Sequence, residues 1–216
     1  MAGRKTRGAR TPLTRERVLE KAIELADAGG VRSLSMRGLA RELGVEAMSL
    51  YHHVANKDEI LDGLVDCVFT EFEVPTGLDW RTTMRERAMS AREALLRHPW
   101  AIGLMDSRRN PGPATLLHHN DVLGVLRNAG FSLSATALAY SLLDSYIYGF
   151  TLQETGLPKP TDDPKEVVET ILGGLPVDAL PHLAELTAEY VVDGYAFGDE
   201  FVRGLELILD GLARLR

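Results

Sequence analysis

Apolar residues recur at three- and four-residue steps along almost all of this 216-residue chain, and no run of alternating β-branched residues interrupts them. A period near 3.6 places such residues on one face of a helix, so the spacing predicts an all-α protein. Cap chemistry sets the boundaries at the N-terminal end. Thr14 and Ser35 carry hydroxyls suited to helix starts, and Gly29–Gly30 and Gly44 suit helix ends because glycine adopts the left-handed conformation freely. A first helix from about Thr14 carries Val18, Ala22 and Leu25, with Leu19, Ile23 and Ala26 beside them. A second, Met36 to Leu43, turns Leu39, Ala40 and Leu43 inward; a third, about Ala47 to His53, offers Leu50 and Val54 to the core. Two short helices joined by a glycine turn make a helix-turn-helix.

Asn56 is placed to cap a fourth helix, with Glu59 able to reach back in a variant capping box. Ile60, Leu61, Leu64, Val65, Val68, Phe69 and Phe72 form two adjacent apolar stripes, so this helix needs cover on two sides and links a small head, residues 1–57, to a larger body, residues 58–216. Further helices are expected at about Trp80–Arg97, Pro99–Arg108, Ala114–Ala129, Ser134–Glu154, Pro164–Leu172, Pro181–Val192 and Phe197–Leu215, with Gly130, Gly156 and Gly173–Gly174 as punctuation. Leu157 to Asp163, rich in Pro and Asp, reads as a loop. In the last helix Phe197, Phe201, Leu205, Ile208, Leu212 and Leu215 describe a lengthwise seam, and Tyr140 to Leu152 is apolar on nearly every side. Together they suit a four-helix interface between two copies; the alternative is that both close on the chain's own core.

Net charge is −7, but its distribution matters more. Residues 1–57 hold 11 Lys and Arg against 6 Asp and Glu, whereas the remainder holds 13 against 25. A basic head on an acidic body suits presentation of one end to phosphates. The basic arm Arg4, Lys5, Arg7 and Arg10 either follows a nucleic-acid backbone or is an idle solvated tail. No stretch reaches the roughly 18 apolar residues of a membrane span, and no apolar signal core follows Met1, so a cytoplasmic protein with no membrane partner is expected. The single cysteine, Cys67, lies on an apolar stripe and reads as packing. Enzymatic chemistry finds no foothold: Gly-x-Ser-x-Gly, a phosphate-binding glycine loop and His-Glu-x-x-His are all missing. Adjacent histidines on a helix point about 100° apart, so neither His52–His53 nor His118–His119 makes a joint metal site, and no metal or cofactor is expected.

The stretch Leu34 to Lys57, with its Gly44–Val45 turn, Leu50–Tyr51 pair and Asn56–Lys57 start of the fourth helix, resembles the signature of the TetR family of transcriptional regulators. Gly130-Phe131-Ser132-Leu133 and the terminal Gly204 to Leu209 resemble its tetracycline-repressor branch. The resemblance implies a homodimer that binds double-stranded DNA at a palindromic operator and lets go when a small-molecule effector enters the body. It implies phosphate contacts at Ser35, Arg37, Tyr51 and Lys57, and base-edge contacts at Glu46, Ala47, Met48, Ser49 and His53. The chemistry agrees, since hydroxyl and cationic groups near a helix start suit phosphate and a small helix face carrying one carboxylate suits base edges.

Trp100, Met105, Tyr140, Tyr146, Tyr148, Phe150 and Gln153 fall where the family keeps its ligand, with His119 as a further candidate wall residue; core packing is the alternative for each. Tetracycline repressors hold a magnesium-chelated drug with a histidine and a carboxylate, whereas the corresponding stretches here read Leu104-Met105-Asp106 and Leu152-Gln153-Glu154. A different, metal-free ligand is therefore expected. Three functions compete: a repressor, with activation as its variant; a helical small-molecule-binding protein or enzyme without an operator; and an architectural DNA coater, which the acidic body disfavours.

Overall fold

The computed structural model describes residues 12–108, 110–157, 177–192 and 197–216, and among these every regular element is helical. The basic arm, the expected helix Pro164–Leu172, positions 158–163 of the expected loop and Gly173–Gly174 lie outside the described residues. The helices are α1 (Arg15–Gly29), α2 (Met36–Leu43), α3 (Ala47–Leu50), α4 (Lys57–Phe69), α5 (Trp80–Arg97), α6 (Trp100–Ser107), α7 (Pro113–Asn128), α8 (Leu133–Gly156), α9 (Pro181–Val192) and α10 (Glu200–Ala213). Short 3₁₀ turns stand at Val31–Ser33, Val177–Ala179 and Phe197–Asp199. The chain divides into two compact units, Met1–Glu73 with Glu93–Asp121 and Val74–Arg92 with Val122–Arg216, so α5 and α7 contribute residues to both.

In the first unit the caps form as their side chains demand. Thr14 Oγ1 accepts from the Arg17 N–H at 3.3 Å, and Ser35 Oγ from the Gly38 N–H at 3.1 Å. Asn56 Oδ1 accepts from the Glu59 N–H at 2.9 Å, while the Glu59 carboxylate reaches one residue further back than a standard box and takes the Ala55 N–H at 2.7 Å. Gly44 ends α2 at φ 68°, a conformation that costs other residues free energy. Val18, Leu19, Ala22, Leu39, Leu50, Val54, Ile60 and Leu64 form one buried cluster, and both apolar stripes of α4 are buried along their length. Each fully buried Leu, Ile or Val contributes about 1.5–3 kcal/mol.

The third helix is shorter than its expected extent to His53. It ends at Leu50, and residues 51–53 form a tight turn in which the His53 N–H donates to the Leu50 carbonyl at 2.8 Å. The tightening brings β-branched Val54 into the core and leaves Asn56 extended, free to cap α4.

In the second unit α10 packs on α8. Tyr146 stacks on Phe201 with ring centroids 5.4 Å apart, and Phe150 stacks on Phe197 at 4.4 Å. Gly204 faces the Tyr146 ring so closely that a β-carbon would collide with it. The expected terminal seam needs correction. A 3₁₀ turn occupies 197–199, and Phe201, Leu205, Leu209 and Leu212 are the buried set, closing on the chain's own core. A 3.6-residue period drifts from a strict heptad, which replaces Ile208 by Leu209 in the contact row and leaves Leu215 exposed. The exposed large apolar residues on these two helices are instead Leu133, Leu138, Leu142 and Leu152 on α8 and Leu207 on α10, the last 74% exposed.

Several arginines of this unit are paired with carboxylates. The wholly buried Arg87 donates from Nη2 to Asp144 Oδ1 at 2.6 Å, and Arg92 meets Glu154 through two nitrogens. Arg81 bridges Glu206 at 2.5 Å and Asp210 at 2.7 Å.

Candidate nucleic-acid interface

α3 is a single turn of helix whose two sides differ sharply. Leu50 is wholly buried with Val54, whereas Met48 is 71% and Tyr51 46% exposed, and Glu46 is exposed at the N-cap. Ala47, Ser49 and His53 are half-buried, and His52 is exposed. A monomeric surface has no use for an outward methionine and tyrosine on so short a helix, and both suit contact with a second molecule.

The remaining candidates flank α3. Ser35 and Arg37 are exposed at the start of α2; the Ser35 oxygen accepts from the Gly38 N–H, so its hydroxyl hydrogen stays available to a phosphate oxygen. Lys57 is the first residue of α4, half-buried and adjacent to the N-cap Asn56. All nine expected DNA contacts therefore fall within residues 35–57 of one compact unit, on two helix starts and one short helix with its following turn. The acidic groups beside Lys57 are engaged with protein: Glu59 by the Ala55 N–H and Arg15, Asp58 by Arg108.

That last contact belongs to a feature the sequence reading missed. Asp58, Asp62 and Asp66 stand at four-residue intervals on α4, a repulsive arrangement in an isolated helix. Arg108, the C-cap of α6, donates from Nε to Asp62 Oδ1 at 2.5 Å, from Nη1 to Asp58 Oδ1 at 3.0 Å and from Nη2 to the Asp58 carbonyl at 3.1 Å. These hydrogen bonds, that to Asp62 foremost, push the guanidinium pKa further up. Asp66 Oδ1 accepts from the Thr115 N–H at 2.8 Å and from its hydroxyl at 3.0 Å at the start of α7. The Asp-x₃-Asp-x₃-Asp spacing was the available signal; its partners, 46 to 50 positions onward, were not. An open groove of about 440 Å³ lies beside the latch, lined by Asn56, Asp58, Glu59, Asp62, Ser107, Arg108 and Asn110.

The expected effector residues divide between the units. Trp100, Met105 and His119 belong to the first, and Tyr140, Tyr146, Phe150 and Gln153 to the second. Trp100 Nε1 donates to Asp27 of α1 at 2.7 Å, next to His98, whose ring nitrogens lie 2.7 Å from Asp27 and 3.1 Å from Glu71. His119 sits edge-on to Phe69 at 5.3 Å, and the buried His118 packs on Phe69 and Phe72. Tyr146 donates its hydroxyl to the Phe201 carbonyl at 2.9 Å, Phe150 joins the same aromatic group, and Gln153 is exposed in the single chain. Burial and then the Asp144 carboxylate push the pKa values of Tyr140 and Tyr148 well up, which keeps both phenols protonated as donors. Cys67 is half-buried and its thiol pKa is raised, first by burial and then by Asp66. No group of three or more His, Cys, Asp or Glu among the described residues is placed to hold a metal ion, and no described helix is long and apolar enough to cross a membrane.

Two family models match the chain: residues 18–64 fit the bacterial regulatory proteins of the tetR family, and residues 75–216 fit the tetracyclin repressor-like C-terminal domain. An HTH-type transcriptional regulator of Saccharopolyspora erythraea is 38% identical over 145 residues, 66% of this chain but only 61% of that protein. The HTH-type transcriptional repressor DrrR1 of Streptomyces coeruleorubidus is 32% identical over 97% of this chain and 80% of its own length. Among solved structures, the TetR family protein ActR of Streptomyces coelicolor in complex with (S)-DNPA superposes with a TM-score of 0.76 at 30% identity, covering 95% of this chain and all of that one. Helix-turn-helix geometry, a second unit whose described elements are all helical and matches that run through both place the protein: the chain belongs to the TetR family of bacterial regulatory proteins and is a transcriptional regulator.

Proposed function

We propose that the chain is a ligand-responsive repressor that binds a palindromic operator as a homodimer and is released by a small molecule. The observation that carries this reading is the polarity of α3, with Leu50 sunk in the core and Met48 and Tyr51 presented outward. Residues 1–57 act as the DNA-binding head and 58–216 as the effector-binding and dimerisation body. Ser35, Arg37, Tyr51 and Lys57 hold phosphates and set register; Glu46, Ala47, Met48, Ser49 and His53 meet base edges. In the dimer the two α3 helices stand about 34–36 Å apart, one turn of duplex, and so enter successive major grooves.

The exposed Leu138, Leu142 and Leu207 are the apolar surface offered to the second copy. In the second unit Tyr140, Tyr146, Phe150 and Gln153 offer an organic effector an aromatic wall with a few hydrogen-bonding groups; in the first unit Trp100, Met105 and His119 are the candidate effector residues. The crystallised complex of ActR with (S)-DNPA supports an organic effector here. The protein works in the cytoplasm, where the operator is. Selection of random duplexes by the purified chain, followed by footprinting, tests the reading: one protected two-fold symmetric site is expected, and uniform protection or none overturns it. A thermal-shift screen then finds effectors, and a true one must also release the selected duplex.

A further inference from the structure

The latch between α6 and α4 does more than neutralise charge. α4 begins at Lys57, a proposed phosphate contact, and its next residue but four, Asp62, is held by Arg108 from another helix. The side chains of Arg108 and Asp62 are each about four-fifths buried, so this bond is shielded from the solvent screening that makes surface pairs weak. A guanidinium is a rigid planar fork, and here its three nitrogens meet three acceptors, two of them on Asp58. One turn further along the same helix, Asp66 holds the first turn of α7 through Thr115. Gly112 lies so close to the Asp66 carboxylate that any β-carbon there would collide with it. Both ends of the 108–115 segment are thus fastened to one row of aspartates on α4.

We infer that Arg108 is a positioning residue for DNA binding: by gripping Asp58 and Asp62 it fixes the first turn of α4, and with it Lys57 and the turn that follows α3. This rests on the DNA-binding reading above. Electrostatics alone argues the opposite sign for the aspartates. Asp58 and Asp62 bring negative charge within a few residues of a phosphate contact, so neutralising either should tighten DNA binding if charge were all that mattered. If position matters, neutralising either should loosen it.

The test uses the full-length protein and the duplex that the wild-type chain selects from a random pool. Asp62→Asn is expected to weaken binding to that duplex about fivefold or more while leaving the helical circular dichroism unchanged. Asp62→Glu, which retains a carboxylate within reach of the fork, should restore most of the affinity. Arg108→Lys keeps the charge but cannot serve three acceptors in a plane, and should lose affinity comparably. Should Asp62→Asn disturb folding, Asp58→Asn replaces it, because the Asp58 side chain is 76% exposed and its neutralisation costs the fold little. Binding by both Asn variants as tight as or tighter than wild type overturns the latch while leaving the repressor reading intact. A wild-type chain that selects no duplex overturns the reading beneath it.

Discussion

Leu50 and Met48 sit two residues apart on the same turn of helix, and truncating each to alanine should produce opposite phenotypes. Leu50 is wholly buried among Val18, Leu39, Val54 and Ile60 in the cluster under α3, so Leu50→Ala removes three buried carbons and leaves a cavity. The cost for such a site is about 2–5 kcal/mol. For a chain of this size each kcal/mol lowers the thermal midpoint by about 2–4 °C, so a drop of roughly 4–20 °C is expected at fixed protein concentration. Met48 is 71% exposed, and Met48→Ala should change stability by less than about 0.5 kcal/mol. Its effect should appear in binding to the selected duplex, where loss of one base-edge contact costs about 1–3 kcal/mol and relaxes preference at one base-pair position. Urea denaturation and titration of the duplex, run on both variants, separate the two quantities. A Met48→Ala protein that unfolds as readily as Leu50→Ala, or that binds the duplex with unchanged affinity and preference, would refute the assignment of inner and outer faces.

Four further outcomes are expected. Lys57→Ala should weaken binding to all duplexes alike and reduce the slope of log affinity against log salt by about 0.9, read from titrations at several salt concentrations. An unchanged slope removes Lys57 from the phosphate contacts. Asp144→Asn removes the carboxylate charge that the buried Arg87 guanidinium meets and should destabilise the protein by about 3–5 kcal/mol in urea, whereas an exposed pair such as Arg203–Glu200 should contribute under about 1 kcal/mol. Tyr148 holds its proton more tightly folded than unfolded, so its own contribution to stability should be constant below about pH 10 and fall above it by at most about 1.4 kcal/mol per pH unit. Tyr148→Phe should flatten that fall, and a midpoint that climbs between pH 9 and 11 contradicts it. The raised thiol pKa of Cys67 means less thiolate at pH 8, so alkylation of the folded chain should be slower than in urea, and equal rates would place the thiol in water.

Local order in this protein was written into its sequence because helix periodicity and capping act over three or four residues. Thr14, Ser35 and Asn56 cap the helices that follow them, Gly30 and Gly44 end the helices before them, and the stripe from Ile60 to Phe72 is buried throughout. The outward side of α3 was legible for the same reason, since burying Leu50 and Val54 leaves Met48 and Tyr51 no inward direction.

Tertiary contact decided the rest. Whether the apolar row of α10 served a second copy or its own chain depended on the ring positions of Tyr146 and Phe150, some 50 residues away, and Leu205 and Leu212 proved internal. Trp100 is apolar enough to line a cavity anywhere, yet its indole N–H is committed to Asp27. The three aspartates of α4 announced by their repulsion that cations or donors must meet them, but only the folded chain names Arg108 and Thr115. The physical division is one of range: dihedral preference and periodicity act between neighbours and can be read along a line, whereas the partner of a charge or a ring is set by which distant segments the core brings together.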